Sequence, residues 1–332
     1  MSVEAAETRE RIRAGSNLAS RGGERLGFAV FAAILLLAPF WLPLVGSYTD
    51  LGTRVLIYAL AAMGLNLLLG FTGGLSFGHA AYFGLGAYGT GLMLRYAGPN
   101  MWLAVAVGVL LGGFAATLVG PVVMRRRGIY FAMITIAIGQ MFYFIAVRWN
   151  NFTGGEDGLT GFQREPLTFP GGSIVLNGPR FYYFVLFFFA IGVFVLWWVL
   201  NSPLGRAMVG ARENSRRLEF LGVPVERLTW ISFAISGFVT ALAGSMSALL
   251  NNFTSPLDLY WQLSGYFVII CVLGGMRNFW GPFVGAAIYV VMQDYASSLT
   301  KNWLSVIGLM FMLVVLFFPR GLLGVLARRR SG

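Results

Sequence analysis

The chain has 332 residues, 57% hydrophobic and 11% charged, with a mean hydropathy of +0.73 and a formal net charge of +11. Soluble domains carry roughly a quarter charged residues, so this composition excludes an ordinary water-soluble protein and describes a membrane protein. The single cysteine, Cys271, excludes an intrachain disulfide and a cysteine metal site; the basic residues flank apolar runs instead of forming one stripe, which argues for membrane orientation and against nucleic acid.

The first 26 residues carry five arginines and four glutamates, too long and too acidic a stretch for a signal or transit peptide, and are read as a cytoplasmic extension. The apolar run at 27–46 contains Pro39 and Pro43 and lacks a small-x-small cleavage site, so it reads as a retained helix. Nine more apolar segments follow, at 54–71, 77–94, 101–123, 129–148, 181–201, 229–250, 263–273, 281–297 and 303–319. Most have about the length that a hydrocarbon core of about 30 Å demands; the run at 263–273 is too short to span alone and reads as tilted or broken. The expected fold is an all-α, polytopic transmembrane helical bundle of about ten apolar segments. The transmembrane body covers 27–322, and a basic cytoplasmic tail covers 323–332.

On alternate sides of this ten-segment arrangement, 18 of the 24 basic residues fall on one side and six on the other. That bias predicts that the first side is cytoplasmic and that both termini lie inside. Two connections are long. The loop at 149–180 falls outside, and its Gly, Pro, Asn and Thr content predicts turns. The loop at 202–228 falls inside; from Arg206 to Leu221 it has good helix formers with apolar Met208, Val209, Leu218, Phe220 and Leu221, then Gly222 as a stop, and so predicts a short amphipathic helix at the surface. Such a helix can rest on anionic lipid or dock in a groove of a partner protein; its mixed charges (Arg212, Glu213, Arg216, Arg217, Glu219) suit docking.

Residues 70–94, GFTGGLSFGHAAYFGLGAYGTGLML, hold eight glycines and the only histidine, His79. Gly70, Gly74 and Gly78 are four apart, as are Ala80 and Gly84, a spacing that places small residues on one helix face and lets backbones approach. Gly73 and Gly74, with Thr72 and Ser76 nearby, also predict a turn followed by a capped helix start. His79 reads first as a hydrogen-bonded packing residue and second as a lining or gating residue, because a lone imidazole in an apolar setting has no titratable partner. The stretches GGLSFGHAAYFGLGAY (73–88) and GGMRNFWGPFVGAAIY (274–289) share a double glycine, an aromatic–glycine pair and a small-residue run ending in Tyr, a likeness that does not by itself establish duplication.

No segment centre holds Asp, Glu, Lys or Arg, which disfavours a proton-coupled carrier. No Walker A pattern occurs and the only lysine is Lys301, so ATP, if used, is bound by another chain. There is no GxSxG elbow, HExxH or Cys–His pair; no catalytic residue, metal ligand or cofactor is assigned. Polar residues within the spans, Asn66, Thr135, Gln140, Ser236 and Gln293, are candidates for lining a solute route or for bonding neighbouring helices, with Gln140 near mid-span beside Gly139 and Tyr143 the most suggestive.

Four stretches in order, GLNLLLGFTGGLSFGHAAYFGLGAY (64–88), TGGEDGLTG (153–161), GRAMVGARENSRRLEFLGV (205–223), and VLGGMRNFWGPFVGAAIYV with FFPRGLLGVL (272–290 and 317–326), resemble the permease subunits of bacterial branched-chain amino acid ABC importers, in particular the LivM-like member of the pair. The resemblance covers about residues 50–326. It implies a multi-pass protein of the inner membrane that forms half of a translocation pathway and is not itself an enzyme. It implies as partners a LivH-like second permease, two cytoplasmic ATP-binding subunits and a periplasmic substrate-binding protein, within membrane lipid. It makes Gly205, Arg212, Glu213, Asn214, Leu218, Phe220 and Gly222 candidates for ATPase coupling, beside Asn66, Gly74, Gly78, His79, Gln140 and Ser236 as pathway or packing candidates. The implied solute is a branched-chain amino acid, urea, a short amide or another small polar molecule, and the charged N-terminal 26 residues exceed what the family's core requires. The alternative reading from the residues alone is a secondary transporter or facilitative channel for a small neutral solute.

Overall fold

The structure, a computed structural model, describes residues 33–42, 48–126, 128–169, 172–317 and 321. The N-terminal extension, the basic tail, much of the first apolar segment and Arg127 lie outside the described residues. The chain divides into two compact units, Met1–Gly52 and Thr53–Gly332. In the first, residues 33–36 are helical and α1 (Ala38–Trp41) follows, with Pro39 in its first turn where a missing N–H leaves no bond unmade.

The nine apolar segments from 54–71 onward are all helical. Helix α2 (Thr49–Asn66) runs on into a six-residue π-helical segment, Leu67–Thr72; α3 (His79–Tyr96), α4 (Met101–Val123) and α5 (Ile129–Arg148) follow, the last two with the boundaries that the sequence predicts. The outer connection holds α6 (Asn150–Thr153), a 3-10 turn (Gly155–Asp157) and an antiparallel hairpin of β1 (Leu167–Phe169) and β2 (Gly172–Ile174), in which Leu167 pairs with Ile174. Then come α7 (Pro179–Asn201), α8 (Pro203–Phe220), α9 (Val225–Asn251), a 3-10 turn (Pro256–Leu259), the short α10 (Trp261–Gly274), α11 (Gly281–Leu299) and α12 (Trp303–Phe317). Among the described residues, α2 with its π extension, α4, α5, α7 and α9 are long and apolar enough to cross a membrane. The molecule is a polytopic helical bundle.

The core is built from α3, α4 and α9, whose backbones approach closely because the contact positions lack side chains. A Cβ at Gly86 would collide with the backbone of Ala241, one at Gly112 with the Tyr82 carbonyl, and one at Gly244 with the Phe83 carbonyl. In lipid no hydrophobic effect drives one helix onto another, so this dispersion contact and the interhelical hydrogen bonds carry the association. Ser245 on α9 adds one such bond, donating to Gly86 O at 3.2 Å or Ala241 O at 3.0 Å. Burial sorts the spans: 78% of the apolar window of α9 is buried but only 28% of that of α5, so α9 is central and α5 peripheral. The bare faces of α4, α5 and α7 present Leu118, Met133, Phe144, Phe194 and Trp198, surface suited to lipid or to another membrane chain.

Two local expectations change. Gly70, Gly74 and Gly78 do not share a helix face, because the helix ends in the π segment and residues 73–78 cross to α3 as a non-helical turn. Four-residue spacing cannot detect that break. Thr72 does not cap α3; its hydroxyl lies 3.1 Å from both the Leu67 carbonyl and Ser232 Oγ, and the Ala80 amide in the first turn of α3 donates instead to Ser264 Oγ on α10 at 2.7 Å. The loop at 149–180 is rich in turns, as its composition predicts, and one arginine organises it. Arg164 donates from Nε to Leu249 O (2.9 Å) and from Nη2 to Leu250 O (3.2 Å), closing the carbonyl end of α9, while its guanidinium stacks 3.8 Å from the Phe181 ring. Leu159 and Thr254 form a two-way backbone bridge that fastens the TGGEDGLTG stretch to the loop after α9.

Candidate functional site

The turn at 73–78 is where Gly74, Gly78, His79, Ser236 and Arg212 of the sequence-predicted residues meet. Gly73 has φ +89°, which lets the chain reverse directly out of the π segment. Four helices then contact the turn. From α5, Thr135 Oγ1 accepts the Phe77 N–H (3.1 Å), and its carbonyl occupies the space that a Gly78 Cβ would need. From α10, Ser264 takes the Ala80 amide; from α9, Ser236 takes His79; from α8, Arg212 Nη1 donates to the carbonyl of Gly70. Gly74 packs against Leu68 and Phe131.

His79 is fully buried, with Nδ1 2.9 Å from Ser76 Oγ and Nε2 2.7 Å from Ser236 Oγ. Ser236 donates its one hydroxyl hydrogen to the Gly64 carbonyl (2.5 Å), so Nε2 must carry the proton it shares with Ser236. Nδ1 then accepts from Ser76, whose oxygen in turn accepts the Gly78 N–H at 3.2 Å. Every donor in this chain has an acceptor when the imidazole is neutral and protonated at Nε2. Tyr82 and Phe233 stand edge-on to the ring, at 5.8 and 5.7 Å between centroids, and fix its plane. Sequence reasoning placed Ser76 at a helix start without pairing it with His79, and missed Ser264. Ser76 is only three residues from His79, but nothing local announces Ser264, 184 residues from the amide it caps.

The same end of the bundle holds a second glycine turn, between α10 and α11. Asn66 Nδ2 donates to Asn278 O at 3.2 Å, and a Cβ on Gly70 would strike the carbonyl of Met276. The two stretches that look alike in sequence thus occupy equivalent places, each a glycine turn with positive φ (Gly73, Gly275) leading into a helix, and the second turn abuts the π segment just ahead of the first. Asn66 Oδ1 is buried without a hydrogen-bond partner among the described residues, as is Gln140 Nε2; Gln140 joins none of this network.

Helix α8 lies against the π segment and divides its candidate residues into two groups. Asn214 has φ −156° and ψ 90°, so the helix is two pieces, and Asn214 Oδ1 caps the second by accepting the Arg217 N–H at 3.0 Å. That corrects the single amphipathic helix read from sequence, although an Asn within ARENSRR is a recognisable cap. Gly222, at φ +80°, ends the second piece in a Schellman arrangement: Val223 N–H bonds Leu218 O (3.1 Å) and Gly222 N–H bonds Glu219 O (3.0 Å). Gly205 is packed against the backbone of Leu200, and Leu218 folds back on Gly210. Arg212 points into the bundle, where burial and then nearby Arg277 lower its pKa. Outward stand Glu213, Phe220 (91% exposed) and Leu221 (75% exposed). These two large apolar side chains stand bare at the tip of a charged helix.

At the opposite end a cavity of about 350 Å³ opens between α2, the end of α9, the 3-10 turn and α11, with Trp303 at its rim. Its polar lining includes Arg54, Tyr58, Asp258, Gln293 and Asp294. Asp258 Oδ2 accepts the Ser255 N–H (3.0 Å), yet burial pushes its carboxyl up to about 6.

Residues 47–316 match the family model described as "Branched-chain amino acid transport system / permease component". The high-affinity branched-chain amino acid transport system permease protein LivM of Escherichia coli (strain K12) is 28% identical over 312 residues, covering 88% of this chain and 73% of that protein. A probable LivM of Methanocaldococcus jannaschii is 24% identical over 319 residues, 80% of this chain and 90% of its own length. The permease protein LivH of Salmonella typhimurium is 23% identical over 290 residues, 80% and 91% respectively. No solved structure matches.

Proposed function

The chain belongs to the family of permease components of branched-chain amino acid transport systems, and from that premise we propose that it forms one half of the translocation pathway of an ATP-driven importer of the bacterial inner membrane. It is a multi-pass membrane permease, a transport component and not an enzyme. Its partner in the membrane is a LivH-like permease; two ATP-binding subunits dock on the cytoplasmic face, and a periplasmic binding protein delivers a branched-chain amino acid or a similar small polar solute at the other. Both termini lie in the cytoplasm, as the basic-residue bias predicts.

The observation that carries this reading is α8. Its exposed Phe220 and Leu221 form a knob for a groove in an ATP-binding subunit, while Arg212, on the other side of the same helix, holds the π segment. Movement imposed on the knob therefore reaches the 73–78 turn and the helices seated on it, which is a mechanical route from ATP binding to reorientation of the bundle. The mechanism is alternating access driven from outside this chain.

Phe220→Asp and Gly222→Pro test the docking role in the reconstituted importer. Both variants insert in the membrane at wild-type level, Phe220→Asp because Phe220 has no packing to lose and Gly222→Pro because the helix stop it breaks lies outside the spans, and both abolish transport-coupled ATPase activity. Uptake by vesicles that lack any ATP-binding subunit would overturn the reading in favour of a secondary transporter.

A further inference from the structure

The cavity at the end away from α8 has a mixed lining. It holds a cation, Arg54, two acids, Asp258 and Asp294, and the aliphatic residues Ile57, Leu250 and Val290. Arg54, Tyr58 and Asp258 all line this one space. Its walls come from four separate elements: Arg54 from the start of α2, Leu250 from the end of α9, Asp258 from the turn before α10, and Asp294 from α11. Tyr58 of this lining stacks on Tyr289 at 6.2 Å, Tyr289 lies tilted against Tyr266 at 5.8 Å, and the Tyr289 hydroxyl is buried without a hydrogen-bond partner among the described residues. Ligand pockets run from roughly 300 Å³ upward, so about 350 Å³ suits one small solute and excludes a peptide.

We propose that this cavity receives an α-amino acid with an apolar side chain, its ammonium against Asp258, its carboxylate against Arg54, and its side chain among Ile57, Leu250 and Val290. The inference rests on the permease reading above and adds to it a place and a recognition chemistry. A neutral amide or urea gains nothing from opposed charges, and a simple amine or a simple carboxylate satisfies only one of them; a zwitterion satisfies both, and the aliphatic residues favour a branched side chain over a polar one. With α8 on the cytoplasmic side, the cavity faces the periplasm, where a binding protein releases its cargo. The chain would then hold the solute briefly at the mouth of the pathway and check its zwitterionic character a second time.

The test uses the membrane complex of both permeases and the ATP-binding subunits in nanodiscs, without the binding protein, and radiolabelled leucine as probe. Wild type binds leucine, isoleucine competes, and 4-methylpentanoate and isopentylamine, which each keep one of the two charges, do not. Asp258→Asn and Arg54→Gln weaken binding at least tenfold, while Arg54→Lys retains most of it; the complex elutes as wild type in each case, and the lysine variant separates charge recognition from misfolding. If Asp258→Asn and Arg54→Gln bind leucine as wild type does while the full importer takes up leucine, this inference is overturned and the permease function stands. If the wild-type full importer, binding protein included, takes up no amino acid, the functional reading fails and this inference with it.

Discussion

Replacing Ser236 by Ala should do more than remove a hydroxyl, because Ser236 is the link between His79 and the backbone of α2. Two hydrogen bonds vanish, the 2.7 Å bond from His79 Nε2–H and the 2.5 Å bond to the Gly64 carbonyl, each worth about 1 kcal/mol net, and a buried N–H is left without an acceptor at a further 1–3 kcal/mol. The imidazole can recover part of this loss by moving its proton to Nδ1, which then donates to Ser76 Oγ, 2.9 Å away. We therefore expect a net destabilisation of about 2–4 kcal/mol together with a change of tautomer. Because His79 is the only histidine in the chain, nitrogen NMR of protein labelled with ¹⁵N-histidine reports a single imidazole. Wild type shows a neutral ring protonated at Nε2; Ser236→Ala shows a neutral ring protonated at Nδ1. Unfolding by SDS titration in mixed micelles gives the stability difference. A wild-type ring protonated at Nδ1, or at both nitrogens near neutral pH, would refute the directional argument, as would a Ser236→Ala variant within about 0.5 kcal/mol of wild type.

Arg212→Ala frees α8 from the Gly70 carbonyl, a charged bond worth about 1–2 kcal/mol after allowance for its partial exposure, so hydrogen exchange should quicken in 67–78 and 203–220 and stay unchanged in α4 and α7; equal exchange throughout would show that the contact transmits nothing. Asp258, raised from 3.8 to about 6, binds its proton more tightly folded than unfolded, so its effect is to lower stability as pH rises from about 4 to 6 and to hold it down above 6. Arg54, Tyr58, Asp294 and Tyr88 are the other ionisable groups facing it. Asp258→Asn, which keeps an acceptor for the Ser255 N–H, should raise the melting temperature above pH 6 and flatten the decline between 4 and 6; an unaltered pH profile would contradict this.

The helices were legible because apolar length is set by the bilayer, and a run such as 101–123 has no other stable use in a chain of this composition. Helix α8 was legible to within a few residues for the same kind of local reason: good helix formers ended by Gly222, a residue that stops helices. Its break at Asn214 and the inward turn of Arg212 were not, because each is decided by what lies beneath the helix. The glycine spacing misled at 70, 74 and 78, where a π segment and a turn replace the helix that a four-residue rhythm suggests. Partners distant in sequence, such as Ser264 for Ala80, Asn278 for Asn66 and Arg164 for the end of α9, leave no local mark, and the outer cavity depends on four such meetings at once.

The hydrogen-bond chain through His79 starts at the Gly78 amide and finishes at the Gly64 carbonyl, two backbone groups that neither release nor take up protons. Ser76, His79 and Ser236 are all fully buried. A proton wire needs an entrance and an exit to water, and this one has neither. The only imidazole in the chain is thus a clamp that ties the glycine turn to α2 and α9.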